Sequence, residues 1–328
     1  MASVPQATFY SEQSANRRNS VLLAVVVLVV LAALGFAIGY GVSGSAGAAY
    51  VVVLGAVFLS LLLTAGSYFA GDSLVLGASH ARQLSPDQAP QLFNVVQEMA
   101  IAGNVPMPRV YVIEDTAPNA FATGRDPAHA SIAVTTGLLQ KLDREELQGV
   151  IGHEMSHVMN YDIRFTLLVA VLVGSIALLA DFFLPFTFWG GGPRRGSNRE
   201  GGGALQVILF VVAIVLAILA PIFARMVQLA VSRQREYLAD ASSVALTRNP
   251  AGLERALATI ASDQEVLEVA NRATQHLYIV NPIKKFEARS RGLFSTHPPI
   301  VDRINRLRKL TGDPPLDPAA IQQLRGLD

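Results

Sequence analysis

The sequence predicts an α+β protein, mostly helical with a small β-sheet, attached to about four transmembrane helices. Three observations predict it. Of 328 residues 51% are apolar and 16% charged, whereas soluble globular domains carry about 25% charged residues. The deficit is uneven: residues 21–40, 48–70, 166–186 and 205–231 hold almost no charge, while 80–163 and 232–328 have ordinary globular composition. The polar stretches, in turn, mix short β-prone runs with apolar stripes at helical spacing.

Each apolar stretch has 20 residues or more, and about 20 residues of helix cross the roughly 30 Å hydrocarbon layer. The first follows Arg17 and Arg18, as a secretory signal would. Signal cores, however, run to only about 7–15 apolar residues. After the loop GVSGSAG the second stretch reads as the return arm of a membrane hairpin. The positive-inside bias then predicts a cytoplasmic tail over 1–20, a hairpin over 21–70 and a cytoplasmic segment over 71–164.

The third and fourth stretches flank a Gly-rich connector, 187–204. Arg194, Arg195 and Arg199 in that connector, and Asp181 in the third stretch, weigh against a simple crossing. Two readings stay open for 165–231: a second spanning hairpin, or a buried or membrane-skimming one. Residues 232–328 are then the second soluble part. The expected location is the plasma (inner) membrane, multi-pass, with the polar parts on the cytoplasmic side and the lipid bilayer as a partner.

In the first soluble part Leu92, Val95, Val96 and Met99 form a helical stripe, and RVYVI (109–113) has strand composition. NAFAT (119–123) and SIAVTT (131–136), separated by GRDPAHA, predict a hairpin or a pair of adjacent strands. Asp143 followed by Glu146 has capping-box spacing and opens a helix through Leu147, Val150 and Ile151 into residues 153–157. In the second part, 232–248 reads as helix stopped by Asn249-Pro250, followed by a helix bearing Leu253, Leu257 and Ile260. A last amphipathic helix spans 298–310, with Ile300, Ile304, Leu307 and Leu310 on one face.

Charge and composition exclude several function classes. A net charge of +1 leaves no basic field for nucleic acid. No cysteine is present, which removes thiol nucleophiles, iron–sulfur clusters and thiolate zinc sites. No GxxxxGK[ST] phosphate loop occurs, so no nucleotide partner is expected.

His153-Glu154-Met155-Ser156-His157 is the decisive motif. At i and i+4 on a helix, two imidazoles share a face and can bind one Zn²⁺, with Glu154 beside them as general base. A catalytic zinc takes a third protein ligand and keeps one open position. A third histidine at position 163, as in one zincin class, is excluded by Ile163. The zincin-like alternative, the gluzincin arrangement, takes a glutamate from a second helix. Glu236 and Asp240 in REYLAD have the required spacing, Asp240 serving to orient a ligand histidine. Glu236 and the histidines must share one side of the membrane, so the intervening apolar pair has to cross together or not at all.

These residues resemble the HtpX-like integral membrane zinc metalloproteases, relatives of the CAAX prenyl protease. The likeness runs over nearly the whole chain: PMPRVYVIEDTAPNAFATG (106–124), AVTTGLL (133–139), LDREELQGVIGHEMSHVMNYD (142–162), SRQREYLAD (232–240) and FSTHPPIVDRI (294–304). The resemblance implies one Zn²⁺ per chain held by His153, His157 and Glu236, and Glu154 as the catalytic base. It also places His297 and Arg303 near the substrate as oxyanion or substrate residues. Substrates would be misfolded or damaged proteins, without ATP.

Asn119 and Phe121, with the neighbouring strand 131–136, are the expected edge on which an extended peptide pairs. His80, His129 and His276 read as ordinary histidines. Two other functions compete. A prenyl-protein protease would need more membrane helices than four. A scaffold or transporter with a relic site is opposed by the intact motif and the near absence of intramembrane charge.

Overall fold

In the computed structural model the described residues are 43–166, 235–263 and 298–317, with isolated positions between 25 and 40 and at 211, 265, 267, 278, 279 and 319. The stretches 166–186 and 205–231 lie outside them apart from single positions, and so do the connector 187–204, His276 and His297. Two compact units emerge. One comprises 1–16, 70–167 and 229–328; the other comprises 17–69 and 168–228.

Within the second unit, helical positions between 25 and 40 pack on the first half of helix α1 (Ala46–Ala78). Gly39 permits this: a Cβ there would lie 2.6 Å from Ala49 Cα. Phe36 stacks on Tyr40 and meets Tyr50 edge-on. Tyr50, Val51, Leu54, Phe58, Leu61, Leu62 and Phe69 expose more than half of their surface. Among the described residues no helix is long and apolar enough to cross a membrane.

The first unit is built around a four-stranded mixed sheet. Its strands are β1 (Arg82–Gln83), β2 (Arg109–Ile113), β3 (Ala120–Gly124) and β4 (Ala130–Thr135), in the order β1-β2-β4-β3. β4 runs parallel to β2 and antiparallel to β3. The expectation that strand 131–136 lies at an edge is therefore corrected. Its backbone is paired on both sides, Val134 for instance with Val112 and with Ala120, and only β3 ends the sheet there.

Side chains alternate across this sheet. Val110, Ala120, Ala122, Ile132 and Val134 face a core shared with the helices, whereas Ile113, Phe121 and Ala133 face a smaller one with Leu76, Ala117, Leu267 and Tyr278. The helices on the first face are α2 (Pro90–Ala102), α3 (Thr136–Lys141), α4 (Arg144–Met159), α5 (235–247), α6 (Pro250–Ser262) and α7 (Ile300–Thr311). Leu92, Val95, Val96 and Met99 are buried on α2, and Leu253, Leu257 and Ile260 on α6, as their spacing predicts.

On α7 the buried face is turned from the predicted one. Val301, Arg303, Ile304 and Leu307 face inward, while Leu310 is 61% exposed. A charged residue thus occupies a core position, which a hydrophobic stripe cannot reveal.

Asp143 accepts from the Glu146 N–H and Glu146 from the Asp143 N–H, so the capping box forms and starts α4. From Leu147 onward α4 is buried on nearly every side. Two glycines make that possible. A Cβ on Gly149 would sit 2.7 Å from Leu253 backbone atoms, and one on Gly152 2.9 Å from Ser243 Oγ. The Ser243 hydroxyl donates to the Gly149 carbonyl at 2.6 Å and locks α5 onto α4. Asn249 then caps α6, with Pro250 at its first position.

Candidate metal centre and catalytic site

Two helices bring the ligand candidates together. His153 and His157 project from one face of α4, and Glu236 enters from the start of α5. One ligand atom from each lies within 4.8 Å of the others. The two Nε2 atoms are 3.3 Å apart; Glu236 places Oε2 3.5 Å from His153 Nε2 and Oε1 3.6 Å from His157 Nε2. Bonds of about 2.0–2.1 Å to a tetrahedral zinc require ligand atoms about 3.3–3.4 Å apart. Two imidazoles and a carboxylate at these spacings fit that ion.

The far side of each ring is also held. His153 Nδ1 lies 3.0 Å from Asp240 Oδ1, and His157 Nδ1 3.0 Å from Asp162 Oδ2. A carboxylate at Nδ1 keeps the proton there and leaves the Nε2 lone pair for a metal. Asp240 is gripped by Arg303 in a two-pronged contact, Nη2 at 2.6 Å and Nε at 2.9 Å. Arg303 is completely buried; its Nη1 donates to the Ile279 carbonyl at 3.0 Å and lies 3.6 Å from Glu236 Oε2.

Burial disfavours the charged form of both histidines, and Arg303 adds to this at His153. Asp240 and Glu236 outweigh them at His153 and raise its pKa from 6.5 to about 9. Asp162 and Glu236 raise that of His157. Burial pushes the Asp240 carboxyl up, but the Arg303 charge and the bonds from His153 and Arg303 hold it below the ordinary range.

Glu154 is partnered on one side only. It is 1% exposed, and its Oε2 has no hydrogen bond among the described residues. Desolvation raises its pKa, opposed by the two histidines and by the Ala122 N–H that bonds the carboxylate. Ala122 belongs to β3, the terminal strand of the sheet, so that strand runs beside the acid, and its Ala120 carbonyl accepts from the Ile279 N–H at 3.0 Å. A raised carboxylate pKa beside three convergent ligands suits a group that accepts and returns a proton.

Of the residues expected at the substrate edge, Phe121 lies in β3 and Asn119 immediately before it. Phe121 is fully buried and meets the Tyr278 ring at 5.1 Å, with its side chain in the smaller core. Asn119 bonds the Ala120 N–H through Oδ1 at 3.1 Å. His80 and His129 stand apart from the centre, His129 bonding Asp126.

Sequence reasoning missed Asp162 and Arg235. The available signal was a demand for a partner: each ligand histidine needs an acceptor for its other nitrogen, and Asp240 can serve only one. Asp162, five residues after His157, is the first carboxylate downstream of the motif.

Comparison with known proteins places the chain in a family. The model of peptidase family M48 matches residues 86–311. A protease HtpX homolog of Streptococcus uberis is 43% identical over 303 residues, covering 92% of this chain and 99% of that protein. Homologs of the same name from Ligilactobacillus salivarius and Lactiplantibacillus plantarum are 44% and 45% identical over the same shares. The crystal structure of S. mikatae Ste24p aligns with a TM-score of 0.47 at 19% identity, covering 77% of this chain and 57% of that one, too slight a likeness to bear on the fold. With the family model spanning more than half of its length and relatives matching it almost end to end, the chain belongs to peptidase family M48 and its reaction is the hydrolysis of peptide bonds.

Proposed function

We propose that this peptidase is a membrane-anchored zinc endopeptidase that degrades misfolded or damaged membrane proteins without ATP. The observation that carries the reading is the convergence of His153, His157 and Glu236 beside the buried, half-partnered Glu154. A zinc ion held there supplies Lewis acidity, lowering the pKa of water and polarising the scissile carbonyl. Glu154 takes the proton of the attacking water and delivers it to the leaving amine. Asp240 and Arg303 keep the His153 ring fixed while charge at the centre changes. Water is limited by burial: His153, Glu154 and Glu236 are all less than 7% exposed.

Substrate would lie along β3. Main-chain pairing at a sheet edge tolerates varied side chains, which suits a protease that acts on damage rather than on one sequence. Membrane attachment is supported by the exposed apolar side chains of α1, from Tyr50 to Phe69. A patch of that kind is costly in water and is a usual mark of a membrane or protein contact. The relatives' name, protease HtpX homolog, supports the quality-control role.

Two variants of the purified chain test the reading. Glu154→Gln retains zinc and loses cleavage of casein and of itself, by about 10²–10⁴-fold. Glu236→Ala loses zinc. Cleavage by purified Glu154→Gln at the wild-type rate, or full zinc content in Glu236→Ala, overturns the assignment.

A further inference from the structure

Each ligand histidine is held at Nδ1 by an aspartate, and each aspartate faces a buried arginine. His153, Asp240 and Arg303 form one such chain of contacts. His157, Asp162 and Arg235 form the other, with Arg235 Nε 3.3 Å from Asp162 Oδ1. Asp162 is 3% and Arg235 8% exposed.

The local backbone is shaped to make the second chain of contacts. α4 ends at Met159 and Asn160 caps it. Tyr161 then takes a left-handed conformation, φ 61°, which costs a bulky L-residue about 1–2 kcal/mol. That reversal returns the Asp162 carboxylate to the histidine of the last helical turn. Arg235 is fixed from another side, its guanidinium 3.7 Å from the centroid of the Phe165 ring. It is also the residue next to Glu236, so the helix that delivers the third ligand also pins the carboxylate behind the second.

We propose that Asp162 and Arg235 are positioning residues for metal loading, holding His157 with Nε2 aimed at the ligand point before an ion arrives. This rests on the metal-site reading above. A neutral imidazole carries one proton, and the carboxylate confines it to Nδ1. Without that partner the proton is shared between both nitrogens and the ring turns, so part of the population presents N–H instead of a lone pair. Arg235 acts one step further out by fixing Asp162 against rotation.

The test uses the full chain in detergent, stripped with a chelator and titrated with Zn²⁺ alone against a chromophoric competitor. Loss of such an outer partner costs about 10–100-fold in metal affinity. Asp162→Ala weakens Zn²⁺ binding by that factor and Arg235→Ala by about tenfold, the low end of the same range. Asp162→Asn, which keeps a neutral acceptor, recovers part of the loss and serves where the alanine variant does not fold. In the metal-free protein, at a pH high enough for the ring to be neutral, ¹⁵N-labelled histidine spectra show His157 as the Nδ1–H form in wild type and as a mixture in Asp162→Ala, a change that altered packing alone does not produce. His157→Ala is the control. If it loses Zn²⁺ while the Asp162 and Arg235 variants bind within about threefold of wild type with the His157 tautomer unchanged, the positioning role is overturned and the metal site stands. If His157→Ala and Glu236→Ala themselves bind Zn²⁺ normally, the metal site falls instead.

Discussion

Removing the Arg303 side chain should loosen the whole centre, and the structure sets the scale. Arg303→Ala deletes a fully buried guanidinium that makes two bonds to Asp240 and one to the Ile279 carbonyl. Asp240 is left ionised in a site where it is 5% exposed. Breaking a buried pair from one side costs about 3–5 kcal/mol, because the surviving charge has lost its compensation. His153 remains on Asp240 Oδ1 at 3.0 Å, which places the loss near the lower end of that range.

Amide hydrogen exchange on the chelator-treated protein reads this directly. Protection in α4, α5 and α7 should fall by roughly two decades, since about 1.4 kcal/mol corresponds to a factor of ten. Protection in the half of α1 before Phe69 should stay unchanged. Pairing Arg303→Met with Asp240→Asn should recover part of the loss, giving a coupling of at least about 1.5 kcal/mol, inside the 0.5–3 kcal/mol typical of direct partners. If Arg303→Ala costs less than about 0.5 kcal/mol, the scale of an ordinary surface change, or if the two substitutions simply add, the pair does not hold the centre together.

Other outcomes follow from the same geometry. Gly149→Ala puts a methyl against Leu253 backbone atoms 2.7 Å away and should cost about 1–3 kcal/mol by overpacking, seen as faster exchange in α4 and α6. Asp143→Ala removes half of the capping box and should cost about 1 kcal/mol, confined to the first turn of α4. The metal-free protein should also respond to pH. The folded pKa of His153, about 9, lies above its ordinary 6.5, so this contribution to stability is complete below pH 6.5 and disappears as pH rises through about 9. A metal-free protein that gains stability over that window refutes the assignment. Zinc binding displaces the same proton and should tighten as pH rises through the window, read as proton release in calorimetry.

Local patterns carried most of what the sequence disclosed. The two histidines, Glu154 and the capping box lie within one helix, and Glu236 and Asp240 within another. A spacing of three or four residues fixes what such groups can share. Non-local relations were the losses. Nothing in SIAVTT tells a strand paired on both sides from one at an edge, because both are apolar and β-branched; the order β1-β2-β4-β3 decides it. The family resemblance put Arg303 near the substrate, and its bonds to Asp240 become visible only in the folded chain, because no local spacing links the two. Asp162 was hidden by a single left-handed residue, Tyr161. No tyrosine announces that conformation in advance.

The arrangement of the centre along the chain has a consequence for how it comes into being. His153 and His157 leave the ribosome first, Glu236 and Asp240 about eighty residues later, and Arg303 more than sixty after those. At about 5–20 residues per second, the motif helix exists for roughly seven to thirty seconds before its last support is synthesised. During that interval Asp240 lacks the Arg303 guanidinium that grips it in the finished fold. A chain ended at Pro299 should therefore hold zinc weakly and cleave nothing, although every ligand is present.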